Sequence, residues 1–251
     1  MHREPFENRR LLCWRFIVNI RKRFYRRYGD YTVFVVDGEA VRDSRPEGDE
    51  EFGEWSIHAY FPSLIPENEI WLEDDLPETE YPFVLANALT QLRRLGCGAS
   101  KDAAYKAGNT AEQRLRQMRD ADLVKAGQIY VRQYVQIGPI TVWLVNGEVV
   151  RDRYYVPFIE GGNHGRYVWI PTSEVWLEYT MHPDELPFIL VHECVERYLM
   201  LVHGWKYDRA HKFASNVEYA QRSRGRLSVD DAVAVVLRTI HAFHSGKGWS
   251  A

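Results

Sequence analysis

Apolar positions along the chain fall into two trains of the same shape. Thr32-Val33-Phe34-Val35-Val36 is a β-branched and aromatic run that meets Asp37-Gly38; it returns as Thr141-Val142-Trp143-Leu144-Val145 meeting Asn146-Gly147. Such runs predict strands, and the two dipeptides are hairpin-turn signals because both residues accept positive φ. Each train continues through a loop to a second short strand, Ile70-Trp71-Leu72 or Val175-Trp176-Leu177. Next comes a proline-led helix, over about 82–95 and 187–202, with proline early in the helix where its missing N–H costs little. A second helix follows over about 100–118 and 206–222, with Gly98 and Gly204 punctuating the turn between the helices. Ser228-Val229-Asp230-Asp231 then caps an amphipathic helix that runs to about His244.

The likeness is one of sequence as well as pattern. Asp37-Gly38-Glu39-Ala40-Val41-Arg42-Asp43 matches Asn146-Gly147-Glu148-Val149-Val150-Arg151-Asp152, and Ile65-Pro66 through Trp71-Leu72-Glu73 matches Ile170-Pro171 through Trp176-Leu177-Glu178. Pro82-Phe83-Val84-Leu85 matches Pro187-Phe188-Ile189-Leu190, and the first copy carries four extra residues in the loop between the first two blocks. Three blocks in one order mark a tandem duplication. The expected fold is α+β: a small antiparallel sheet plus two helices, built twice, suggesting a pseudo-twofold arrangement. The expected division is a first copy over 1–118, a second over 119–225, and a C-terminal helix over 226–251.

Composition narrows the class without naming a function. Across 251 residues, 45% are hydrophobic and 27% charged, enough to bury a core, and the net charge of -3 gives no global case for nucleic acid or acidic membranes. Cys13, Cys97 and Cys194 are far apart and follow no metal or redox spacing, which argues for a reducing compartment. No stretch has the roughly 18 apolar residues of a transmembrane span, and the polar start is unlike a signal peptide, so a cytoplasmic location is expected, in a host cytoplasm or with the virion for a phage-encoded chain. The segment from Trp14 to Tyr28 is basic and aromatic. It is read as an outer element with buried rings and solvated arginines, rather than as a contact for phosphates or membranes.

Setting the copies side by side isolates the chemistry. Asn87 stands opposite His192, Ala88 opposite Glu193, and Gln91 opposite Glu196; one residue further out of step, Tyr105 stands opposite His211 and Glu112 opposite Glu218. The apolar frame is shared, so packing alone does not demand the histidines and glutamates of the second copy. His192 and Glu196 lie four residues apart, about 40° around a helix, the spacing by which one helix gives two ligands to one ion. Glu193 sits about 100° away, beside the ion, where a carboxylate can accept a proton from water. His211, across the helix–helix turn, is the best-placed third ligand, with Glu218 and His164 as additional candidates. A His/Glu/His set with an open position is a hydrolytic zinc pattern, with other divalent ions as alternatives. Cys194 points about 200° from His192 and is read as a buried inert thiol. Trp71 and Trp176 are read as core anchors; His182, His203, His241 and His244 need no further role. Walker, GxGxxG and GxSxG motifs do not occur.

His192-Glu193-Cys194-Val195-Glu196 resembles the HExxH helix of zincin-type metallopeptidases, with Glu196 replacing the second histidine, and a strand precedes it as in zincins. The second copy also resembles a family of uncharacterised bacterial and phage proteins. That resemblance rests on Ile170-Pro171, Glu174 and Trp176; His192, Glu193, Glu196 and Met200; and Gly204, Tyr207, Ala210-His211 and Ala214. It extends to Gly161-Gly162-Asn163-His164, with one inserted residue. The resemblance implies a zincin-like second copy acting on an amide or peptide bond, with the 158–165 loop bordering the cleft and the degenerate first copy a scaffold or substrate-binding surface. The alternative is a non-enzymatic phage or bacterial adaptor in which the same cluster is a structural metal site or a polar network.

Overall fold

The structure is a computed structural model in which residues 20–44, 52–119 and 128–245 are described. Cys13 and residues 14–19 of the basic segment lie outside them. The chain divides into two compact units, Met1–Arg116 and Gln117–Ala251.

In the first unit, strand β1 (Arg21–Tyr28) turns back into β2 (Tyr31–Val36), followed by a short helix α1 (Gly38–Ser44), then β3 (Trp55–Ile57) and β4 (Glu69–Glu73). Helices α2 (Tyr81–Gly96) and α3 (Lys101–Gln117) complete it. The second unit repeats the order with β5 (Tyr130–Ile137), β6 (Ile140–Val145), α4 (Gly147–Arg153), β7 (Gly161–Asn163), β8 (Glu174–Glu178), α5 (Leu186–Leu201) and α6 (Tyr207–Arg222). It adds α7 (Val229–His244).

Each unit holds a four-stranded sheet, ordered β1-β2-β4-β3 and β5-β6-β8-β7. The duplication reaches the hydrogen-bond register: Phe34 faces Trp71 where Trp143 faces Trp176, and the first strand of each sheet is irregular at equivalent places. The sheets are mixed and not purely antiparallel, because β2 pairs with β4, and β6 with β8, in parallel. The cause lies in the two dipeptides expected to make hairpins. Neither Gly38 nor Gly147 has a positive φ. Asn146 caps α4 by accepting from the Val149 N–H, and Asp37 accepts from the Ala40 N–H, so the chain leaves the sheet in a helix and returns in parallel. The hairpins instead turn at Gly29 and Gly138, whose φ values are 58° and 57°.

Glycine at 38 and 147 serves close approach. A Cβ there would fall 2.1 Å from Glu73 Oε1 and 2.3 Å from Glu178 Cδ, and these buried carboxylates pair with Arg42 at 2.5 Å and Arg151 at 2.9 Å. The repeated glycine, arginine and strand-end glutamate thus hold the sheet's end together in both units.

Core packing follows the apolar pattern. In the second unit, Val142, Leu144, Val175 and Leu177 share one core with Leu190, Val191, Val195 and Leu199 of α5, and α7 packs on α5 and adds Ala232, Val235 and Val236 to it. Cys194 belongs to this core; burial pushes its thiol up to about 12, which leaves it protonated and inert. Trp71 and Trp176 are buried, with indole N–H groups donating to Glu69 and Glu174. Strand β1 exposes Arg23, Arg26 and Arg27 while Tyr25 and Tyr28 pack against the core, and Phe24 stays 58% exposed. Among the described residues no helix is long and apolar enough to cross a membrane.

Candidate metal centre

The proline-led helix α5 is apolar nearly all round, and its polar residues are the exceptions: His192 and Glu196 are both buried, 5% and 2% exposed. A buried helix keeps such groups only where partners receive them. Those partners come from α6 and β7.

His192, Glu196 and His211 each offer one donor atom to a common point. His192 Nε2 lies 3.1 Å from His211 Nδ1, His211 Nδ1 lies 3.0 Å from Glu196 Oε2, and His192 Nε2 lies 3.7 Å from that oxygen. Ligand atoms bound tetrahedrally at roughly 2.0–2.2 Å stand about 3.3–3.5 Å apart, so these spacings fit a small divalent ion. Lone-pair accounting agrees. His192 Nδ1 meets Glu218 Oε2 at 3.0 Å, and Glu218 is held ionised by Arg222. Its carboxylate can only accept, so His192 Nδ1 carries a proton, and in the neutral ring Nε2 turns a lone pair inward. A single proton on His211 cannot serve both that lone pair and Glu196 fully, whereas a cation serves all three.

Glu218 is therefore an outer partner of His192. Burial acts against its charge, but Arg222 and His192 outweigh it and hold its carboxyl well below the usual range. Arg222 also grips Glu185 at the start of α5 through two hydrogen bonds of 2.9 and 2.8 Å. This chain of charges fixes the ring orientation of His192, the role outer partners have around metal-ligating histidines.

Asn163, fully buried on β7, donates 2.8 Å hydrogen bonds to Glu193 Oε2 and to Glu196 Oε1. Its own carbonyl accepts from the Gly165 N–H at 2.8 Å, so both amide hydrogens are committed to the carboxylates. Burial first, and then the charge of Glu196, raise the Glu193 carboxyl above its ordinary value. Glu196 moves the other way: burial opposes its charge, but the nearby His192 and His211 rings and the Asn163 amide outweigh it. Gly161 makes room for this arrangement, because a Cβ there would lie 2.9 Å from the Trp176 carbonyl and 3.1 Å from Glu193 Cγ.

Of the residues nominated by sequence, His192, Glu193, Glu196, His211 and Glu218 come together and His164 does not join them. His164 Nδ1 sits 2.6 Å from the Ile170 carbonyl, and His58 makes the same contact to Ile65 at 2.7 Å in the first unit. It is a turn residue shared by both copies. Asn163 and Gly161 escaped the sequence comparison because extra residues in the first copy hide their counterparts. The strand register supplies them, placing Trp55 opposite Gly161 and Ile57 opposite Asn163. No family model, no curated protein and no solved structure matches the chain.

Proposed function

We propose that the second unit is a metal-dependent hydrolase of zincin-like type that cleaves an amide or peptide bond. His192, Glu196 and His211 hold the ion, with zinc favoured by the two-nitrogen, one-oxygen donor set. The observation that carries this reading is the convergence of three donor atoms with a carboxylate alongside, and no fourth His, Cys, Asp or Glu joining the group among the described residues. Three protein ligands leave a position open to water, whereas structural sites are closed by four.

When bound, the ion supplies acidified water near neutral pH and a Lewis acid for a carbonyl oxygen. Glu193 has one oxygen fixed by Asn163, which leaves Oε1 to take the proton from the attacking water. As the new C–O bond forms and the C–N bond breaks, the same oxygen returns that proton to the departing amine.

Protein purified without chelator is expected to hold about one ion per chain. Glu193→Gln should keep that ion and lose roughly 100-fold or more in turnover on a panel of peptide and amide substrates. A chain that takes up no ion after reconstitution sinks the reading. A variant that keeps both ion and turnover removes Glu193 from catalysis and favours a non-enzymatic metal site.

A further inference from the structure

The turn that carries Asn163 continues into Arg166, a cation without a carboxylate partner among the described residues. Asn163 fixes it closely: its backbone carbonyl accepts from Arg166 N at 3.2 Å and from Tyr167 N at 2.9 Å. The turn is seated tightly, since a Cβ on Gly165 would come within 2.9 Å of Met200 Cβ. The exposed Arg166 side chain lies with its guanidinium carbon 4.2 Å from the centroid of Tyr207 and 5.6 Å from that of Tyr167. Tyr207 in turn stacks on the ligand His211, centroids 5.1 Å apart and planes 23° from parallel.

A clamp of cation on ring recurs in the first unit with its ends exchanged. Tyr60 occupies the loop position and Lys101 the helix position, with Lys101 Nζ 5.5 Å from the Tyr60 centroid. The Tyr60 hydroxyl turns inward and donates to Gln91 at 2.5 Å, where Glu196 stands in the second unit. The clamp itself is thus structural, tying loop to helix in both copies. What belongs to the second copy alone is a guanidinium carried on the loop beside the centre, held by cation–π contact with its hydrogen-bond donors unspent on any carboxylate.

We propose that Arg166, positioned on Tyr207, is an anion-binding subsite beside the metal centre, so that the substrate carries an oxyanion, carboxylate or phosphate, next to the amide to be cleaved. This rests on the hydrolase reading above. Arg166 is a specificity residue here: its two-pronged donor face binds the anion and aligns the neighbouring amide with Glu193.

Binding of hippurate, of its neutral primary amide and of inorganic phosphate to the zinc-supplemented protein tests this by calorimetry. Uptake of zinc is measured separately against a chromophoric chelator. Hippurate or phosphate should bind about tenfold more tightly than the amide, and Arg166→Met should erase that advantage while leaving zinc uptake unchanged. Arg166→Lys should retain part of it. The tighter of the two anions identifies the oxyanion. Equal binding of hippurate, phosphate and amide, binding of none of them, or an advantage that survives in Arg166→Met overturns the subsite whatever the zinc result. Failure of zinc uptake alone overturns the hydrolase reading and is read on its own axis.

Discussion

The two units solve one packing problem and differ in what they place inside it. Both bury a Glu–Arg–Glu cluster between their paired helices: Arg116 with Glu80 and Glu112, Arg222 with Glu185 and Glu218. Both lay that arginine over a phenylalanine, Phe83 or Phe188. The outer carboxylate then receives the α2 or α5 residue one step inward. In the first unit this is Asn87, which donates to Glu112 at 2.7 Å while its carbonyl accepts from Gln91. In the second it is His192 on Glu218. The first network closes on itself, donor to acceptor, ending at Tyr60. The second ends in converging lone pairs. A fold that accepts either ending does not need those histidines and glutamates in order to pack its frame.

Exchanging the endings is the strongest test of that comparison. His192→Asn with Glu196→Gln gives the second unit the residues of the first, and two of three donors are lost. Zinc affinity should fall by well over about 100-fold, beyond the loss typical for outer partners, while circular dichroism and the unfolding midpoint of the zinc-free protein change little. A double variant that still holds zinc would show that the ion binds elsewhere.

The shared frame should respond alike in both units. Arg116→Met and Arg222→Met each remove the guanidinium from two buried carboxylates, and each should cost about 3–5 kcal/mol in chemical denaturation. Only Arg222→Met should also weaken zinc binding, by roughly 10- to 100-fold, because only there does the outer carboxylate orient a ligand. Equal and negligible zinc effects would break the link from Arg222 through Glu218 to His192.

Much of this was legible in the residues. Helix spans fell within a residue or so of those observed, because proline starts, glycine stops and apolar periodicity agree along α2, α3, α5 and α6. The three donors and Glu193 emerged because helical spacing is local, and one repeat served as control for the other. Asp37-Gly38 and Asn146-Gly147 misled for a physical reason: aspartate and asparagine serve a helix cap as readily as a turn, and only the buried Glu73 and Glu178 reveal why glycine follows. Asn163 and Arg166 were out of reach because their roles come from strand register and loop placement, which no spacing along the chain encodes.

The smallest expected effect decides the most delicate point, whether the centre is open or closed. His164 follows the Gly161-Gly162-Asn163 strand and is the remaining histidine that the sequence nominates as a further ligand, yet it makes the same backbone contact as His58 in the first unit. If that contact is its whole role, His58→Ala and His164→Ala should each cost about 1 kcal/mol of stability, one part-buried hydrogen bond apiece. Zinc affinity in His164→Ala should stay within about twofold of the parent by chelator competition. A drop of tenfold or more would mean that the ring leaves Ile170 to close the coordination shell once the ion arrives. Coordination by four protein ligands is the signature of a structural site, so such a result would turn the second unit from a hydrolase into a metal-stapled scaffold. Matched losses of stability with unchanged zinc binding would leave the fourth position to water and keep Glu193 next to it.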